Sequence, residues 1–247
     1  MSNSPLVSYT KLSPNHSGQR THAVDRITPH CVVGQCSVET LGNIFAPTSR
    51  QASCQYSIGV DGRVGMYVEE KNRSWCSSSN ANDQRAITIE CASDATHPYA
   101  FNDVVYAKLI ELCADICKRY GKTKLLWLGD KTKTLNYEPA SNEMVLTVHR
   151  WFANKSCPGD WMYARMGDLA SKVTAKLGGS TGGNDKPVDN QVLYRVQTGA
   201  FANKANADAM LQKVKAAGFD TYMVKVDNPM AKEWAEEAVR DGVIEST

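Results

Sequence analysis

Apolar and polar residues alternate along some stretches of this chain and recur every three to four residues along others, and these two periods lay out its elements. Ala86-Ile87-Thr88-Ile89-Glu90-Cys91 alternates and is rich in β-branched residues, which predicts a strand. Two short apolar runs between Tyr56 and Val68 flank Asp61-Gly62, a hairpin signal. Asp103 to Tyr120 places Val105, Leu109, Leu112, Ile116 and Cys117 at helical spacing. Asn102 or Asp103 can cap that helix and Gly121 can end it. Cys31-Val32-Val33, just after His30, reads as a strand. Met144 to Val148 reads as another that ends at His149, and Tyr163 to Leu177 as a helix stopped by Gly178-Gly179. Strands and helices mixed in this order predict an α/β or α+β domain.

After Leu177 the pattern changes. Gly178 to Pro187 is rich in Gly, Ser and Asn, which predicts a flexible linker. Beyond it the chain reads strand Leu193–Thr198, helix Lys204–Ala217 with Gly218 as its C-cap, and strand Thr221–Val226, a small β-α-β module. Met230 to Ile244 follows as an amphipathic helix with Trp234, Ala238 and Val239 on one side. The expected organisation is a large domain over residues 1–177, a linker over 178–190, and a C-terminal module over 191–247.

With 247 residues, 42% of them hydrophobic, the chain can build a core of useful size. A net charge of +2 gives no electrostatic case for nucleic acid. No stretch is apolar for the roughly 18 residues that a membrane helix needs. Met1 to Lys11 lacks the charged segment and apolar run of a signal peptide, so an extracellular target calls for another route out. The eight cysteines are scattered over a long chain, which argues against a disulfide scaffold and for buried thiols. Cys113 and Cys117, four apart on a helix, fit either a metal pair or a core stripe, and their apolar neighbours favour the stripe.

The chemistry concentrates in His149-Arg150-Trp151-Phe152-Ala153-Asn154-Lys155-Ser156-Cys157-Pro158-Gly159. A histidine at a strand end and a cysteine in a Pro-Gly turn offer an imidazole nitrogen and a thiolate, both of which zinc accepts in tetrahedral geometry. A catalytic zinc takes three protein ligands and keeps a fourth position open, and His30 is the best remaining candidate for the third.

Residues from about Ser13 to Leu177 resemble the type two, peptidoglycan-recognition-like N-acetylmuramoyl-L-alanine amidases. The matching pieces run in order: Ile27-Thr28-Pro29-His30, Ala52-Ser53-Cys54-Gln55-Tyr56 leading to Asp61-Gly62, Trp75 with Asn82, Ile87-Thr88-Ile89-Glu90, and the His149 to Gly159 segment. The resemblance implies an α/β fold, a mixed central sheet flanked by helices, with Zn2+ at the floor of a groove. It implies that His30, His149 and Cys157 bind zinc, that Glu90 is the general base, and that Lys155 donates to the oxyanion. The plainer alternatives are a strand-end carboxylate facing water for Glu90 and a solvated loop charge for Lys155. Tyr56, Trp75 and Cys76 would flank the substrate groove, although Tyr56 fits packing in the sheet equally well. Gln55 and Cys76 stand where many members have histidine, which leaves the proton donor open. The implied reaction cuts the amide between N-acetylmuramic acid and L-alanine in bacterial peptidoglycan.

The C-terminal pieces Tyr194 to Phe201, Asn206-Ala207-Asp208 and Ala216 to Asp220 resemble the first half of a SPOR domain, a peptidoglycan-binding fold. The second half is missing, and Lys232 to Ile244 faintly resembles a surface-layer-homology repeat. A half-module leaves a sheet edge unpaired, which suggests a homodimer through this part. The expected setting is a phage endolysin freed through a holin, or an autolysin exported by another route. A non-catalytic peptidoglycan-recognition protein is the alternative from another class. A cysteine hydrolase using Cys76 or Cys157 is a third, and spacing alone suggests no His–acid pair beside either thiol.

Overall fold

The structure is a computed structural model that describes residues 3–178, 201 and 203–216. The chain divides into two compact units, Met1–Pro187 and Val188–Thr247. Among the described residues the first holds nine strands: β1 (Val7–Thr10), β2 (His16–Gln19), β3 (Arg26–Cys31), β4 (Tyr56–Ile58), β5 (Val64–Met66), β6 (Asn72–Ser74), β7 (Ala86–Cys91), β8 (Lys124–Leu126) and β9 (Glu143–Leu146). Its helices are α1 (Val38–Phe45), α2 (Asn80–Arg85), α3 (Asp103–Arg119), α4 (Lys131–Leu135), α5 (Asp160–Tyr163) and α6 (Met166–Lys176). Seven strands form one sheet in the order β1-β5-β4-β7-β3-β9-β8, and β2 pairs with β6 in a separate antiparallel ribbon. Only β4 and β5 meet antiparallel in the large sheet, so the fold is α/β with a mixed central sheet.

The alternation in β3 and β7 sorts the two faces of this sheet. Ile27 pairs with Ile87, Pro29 with Ile89 and Cys31 with Cys91, while Thr28 pairs with Thr88 and His30 with Glu90. Paired residues point the same way, so one face is apolar and the other carries the polar groups. Tyr56 and Ile58 of β4 pair with Ile89 and Cys91 and join the apolar face, against which Val105, Leu109, Leu112, Cys113, Ile116 and Cys117 of α3 are buried in one cluster. Cys113 and Cys117 are therefore core, as their apolar neighbours suggested. Pro29 lies beyond the part of β3 that pairs with β9, which covers only Arg26 and Ile27.

On the polar face, α1 covers the β4–β5 side: the Tyr67 hydroxyl donates to the Val38 carbonyl at 2.7 Å and meets Ser57 Oγ at 2.6 Å. β7, β3 and the end of β9 are thereby left to build a site on the same face.

The predicted hairpin is β4–β5, with Gly62 at φ +80 in its turn. Asn102 caps α3, accepting from the Val105 N–H at 2.8 Å. The strand predicted to run to Val148 ends at Leu146, and His149–Trp151 form a 3-10 turn. The helix predicted over Tyr163–Leu177 is α6, which starts three residues later at Met166, after the short α5. Arg165, between the two helices, stacks its guanidinium 4.0 Å from the Trp161 ring and donates to the Trp161 carbonyl at 3.0 Å. In the second unit, α7 (Lys204–Ala216) matches the predicted helix. The linker after Gly178, the strands Leu193–Thr198 and Thr221–Val226, the tail helix and the dimer expected from them lie outside the described residues.

Candidate metal centre and active site

Parallel register brings His30 and Glu90 side by side on the polar face, since they are direct partners in β3 and β7. Thr28 pins the neighbouring strand: its hydroxyl meets that of Thr147 at 2.7 Å, which sets the phase of the segment leading to His149. The His30 and His149 rings then lie 5.0 Å apart, centre to centre. Cys157 arrives from the turn that follows. Gly159 at φ +84 makes that turn, and a Cβ there would stand 2.8 Å from the Pro98 carbonyl oxygen, so only glycine fits. Cys157 Sγ sits 3.3 Å from His30 Nδ1.

His30, His149 and Cys157 offer one ligand atom each within 4.8 Å of one another. Zinc–nitrogen and zinc–sulfur bonds at a tetrahedral angle place their donors roughly 3.5 Å apart, so the His30–Cys157 separation suits a shared ion. Burial holds His30 well below the usual histidine range, with His149 beside it adding to the effect. His149 is lowered as well, by burial and then by the Lys155 ammonium. Neutral imidazoles with free lone pairs are what a metal requires. Burial raises the Cys157 thiol, a bias that a bound dication inverts.

A second group shares His30. Cys76 Sγ lies 3.4 Å from His30 Nε2 and its thiol donates to Glu90 Oε1 at 3.8 Å, and these three residues also fall within 4.8 Å of one another. The two thiols approach opposite ring nitrogens of His30, Cys157 at Nδ1 and Cys76 at Nε2, and Glu90 Oε1 lies 3.9 Å from Nδ1. Glu90 Oε2 is buried with no hydrogen-bond partner, an orphan acceptor that points to a missing donor or cation in the site. Burial pushes the Glu90 carboxyl up to about 7, against the smaller opposing effects of Cys76 and Arg50.

The other expected residues fall as follows. Lys155 is exposed on the loop before Cys157, near enough to act on His149. Trp75 is half-buried next to Cys76, with its indole N–H donating to Ser17 Oγ at 2.7 Å. Placing Tyr56 in the groove is incorrect. It is fully buried on the opposite face, where its hydroxyl donates to Glu70 at 2.6 Å and accepts from the Ser4 N–H at 2.9 Å. Gln55 is no proton donor to the site, because its amide is spent joining Asn72, Ser74 and Thr88. Absence of a His–acid pair beside Cys76, expected from spacing, is also corrected: His30 and Glu90 both touch its thiol.

The sequence profile of the N-acetylmuramoyl-L-alanine amidase family matches residues 19–160, a span that contains His30, Glu90, His149 and Cys157. The chain belongs to this family. A SPOR domain profile matches residues 190–232. The enzyme is thus a peptidoglycan amidase joined to a SPOR segment. Among solved structures it is similar to PlyL, with 14% identity over 67% of this chain and 95% of that one at a TM-score of 0.48. It is similar to the N-acetylmuramoyl-L-alanine amidase LysC from Clostridium intestinale URNW, at 16% identity, 70% and 96% coverage and a TM-score of 0.43. A third is the endolysin of Thermus scotoductus MAT2119 bacteriophage Ph2119, at 16% identity, 67% and 91% coverage and a TM-score of 0.42. No curated protein matches the sequence. Among the described residues of the amidase, no helix is long and apolar enough to cross a membrane.

Ser78 and Asp83 are polar residues whose part in the site the sequence did not reveal, and Asn82 stood there only as a matching piece beside Trp75. Asp83 is buried and accepts from the Cys76 and Ser77 N–H groups at 3.1 Å each. A serine-rich run followed by Asn and Asp was the available signal, and it reads first as an ordinary helix start.

Proposed function

We propose that this amidase is zinc-dependent, with His30, His149 and Cys157 holding the metal, Glu90 as general base and Lys155 as oxyanion donor. The convergence of two neutral imidazoles and a thiol on one point carries this reading. Zinc, when bound there, supplies a Lewis acid that acidifies water and polarises a carbonyl. Glu90 removes a proton from the water that attacks the lactyl carbonyl, and its raised affinity for protons suits transfer near neutral pH. Lys155 donates to the oxygen that gains negative charge as the carbonyl becomes tetrahedral. Glu90 then hands its proton to the departing alanine nitrogen, which leaves as an amine. The products are a bare glycan and a free stem peptide.

The SPOR segment adds a second hold on the wall, and the enzyme acts there, reached through a holin if phage-encoded or by another route. The presence of His30, His149 and Cys157 together favours the enzyme over a recognition protein that has lost metal ligands. The contact of Cys76 with His30 and Glu90 favours a second reading, a cysteine hydrolase. Against it, burial and then the Glu90 carboxylate push the Cys76 thiol well up, the reverse of an activated nucleophile. Chelation separates the two. Lysis of purified wall lost with a chelator and regained with zinc supports the metal reading, and lysis untouched by chelation supports the thiol.

A further inference from the structure

The loop between β6 and α2 reaches both histidines from behind. Cys76 Sγ stands 3.4 Å from His30 Nε2, and Ser78 Oγ stands 3.0 Å from His149 Nε2. Two residues apart in sequence, they meet the same ring atom on two histidines, one from β3 and one from the 3-10 turn after β9. Ser78 takes a left-handed backbone, φ +61, which a non-glycine residue adopts only when its surroundings impose it. The surroundings are visible. Asp83 accepts from the Cys76 and Ser77 N–H groups, and its own N–H donates to the Ser79 carbonyl at 2.9 Å. Asn82, fully buried, donates to Ser77 Oγ at 3.2 Å and Thr28 Oγ1 at 3.1 Å, and accepts from Thr147 Oγ1 at 3.0 Å. Thr28 and Thr147 each lie two residues before a histidine on the same face. One amide therefore locks the loop to both histidine-bearing segments.

We propose that the Cys76–Ser78 loop is a built support for the metal ligands: Cys76 Sγ and Ser78 Oγ accept the Nε2–H groups of His30 and His149, so that each Nδ1 keeps its lone pair for the metal. This rests on the zinc reading above. A metal-bound histidine needs its outer N–H engaged to fix the tautomer and ring orientation, and losing such a partner typically weakens metal binding tenfold to a hundredfold. Here one loop does this for both rings. A thiol both donates and accepts, so Cys76 also links His30 to Glu90, tying a ligand to the base. Cys76 and Ser78 act through the histidines and are positioning residues.

The test uses the full chain and zinc alone, with affinity read by competition against a chromophoric chelator. Ser78→Gly removes the hydroxyl at a position whose backbone glycine prefers. It should melt at or above the wild-type temperature while its zinc Kd rises about tenfold to a hundredfold. Cys76→Ala should show a similar rise, and Cys76→Ser should recover most of the affinity. Nitrogen-15 NMR of the zinc-free protein should show both histidines protonated at Nε2. An unchanged Kd in both Ser78→Gly and Cys76→Ala, or protons on Nδ1, overturns the proposal. So does a weakened thiolate-to-cobalt absorption in Co2+-loaded Cys76→Ala, which would make Cys76 itself a ligand. His30→Ala separates the layers. Full zinc affinity in that variant sinks the zinc reading, whereas its loss beside an unaffected Ser78→Gly sinks only the support.

Discussion

The residues proposed to do the chemistry divide by how they reach the site. His149, Lys155 and Cys157 come from one continuous segment, so their association was legible from spacing. His30 and Glu90 lie far apart in sequence and meet because β3 and β7 pair in parallel register. Alternation shows that each has a polar side, but it does not show that the two sides coincide. Tyr56 was left between groove and sheet for the same reason: it follows Gln55 in a matching motif, and only its register partner Ile89 shows that it turns to the core. Glu90→Gln should keep zinc and fold while lowering turnover on the order of a hundredfold or more, as for loss of a general base. Lys155→Ala should cost a comparable factor, about that of one oxyanion donor. Single-turnover kinetics on soluble muropeptide checks both. Near wild-type rates would return Glu90 to a strand-end carboxylate and Lys155 to a solvated charge.

Elements formed where local signals agreed with packing. The alternation of β7, the Asn102 cap of α3 and the Asp61-Gly62 turn each specify structure through nearest neighbours, and each was legible. The start of α6 at Met166 was not, because periodicity does not show where the short α5 ends, nor the contact of Arg165 with Trp161 between them. Nor was the buried pair beneath β4. Glu70 is 1% exposed and accepts from Tyr56 and, through both carboxylate oxygens, from the Arg119 guanidinium at 2.6 and 2.7 Å. Replacing Arg119 with Met would leave that carboxylate buried without its cation, and unfolding measurements should show a loss of about 3–5 kcal/mol. A loss no larger than that of an exposed pair would mean that water reaches Glu70. Gly159→Ala tests the turn that presents Cys157. A positive φ and a 2.8 Å approach to the Pro98 carbonyl oxygen should cost about 1–3 kcal/mol, with weaker zinc binding. Unchanged stability and affinity would show that the turn can shift without moving the thiol.

At the scale of the whole molecule, the proposed function assigns catalysis and wall binding to separate units. The amidase profile ends at residue 160 and the SPOR profile begins at 190. Truncation after Gly178 should leave a folded enzyme that cleaves soluble muropeptides, while retention on intact peptidoglycan in a pulldown should fall through lost avidity. Equal retention of both forms would show that the second unit does not bind wall. The central claim, a zinc-dependent cut between N-acetylmuramic acid and L-alanine, is tested most directly by mass spectrometry of purified wall digested with chelated, zinc-restored and His30→Ala protein. Only the zinc-restored enzyme should release stem peptides with a free L-alanine amine from uncut glycan. New glycan reducing ends, cuts within the peptide, or the same products from chelated protein would contradict it.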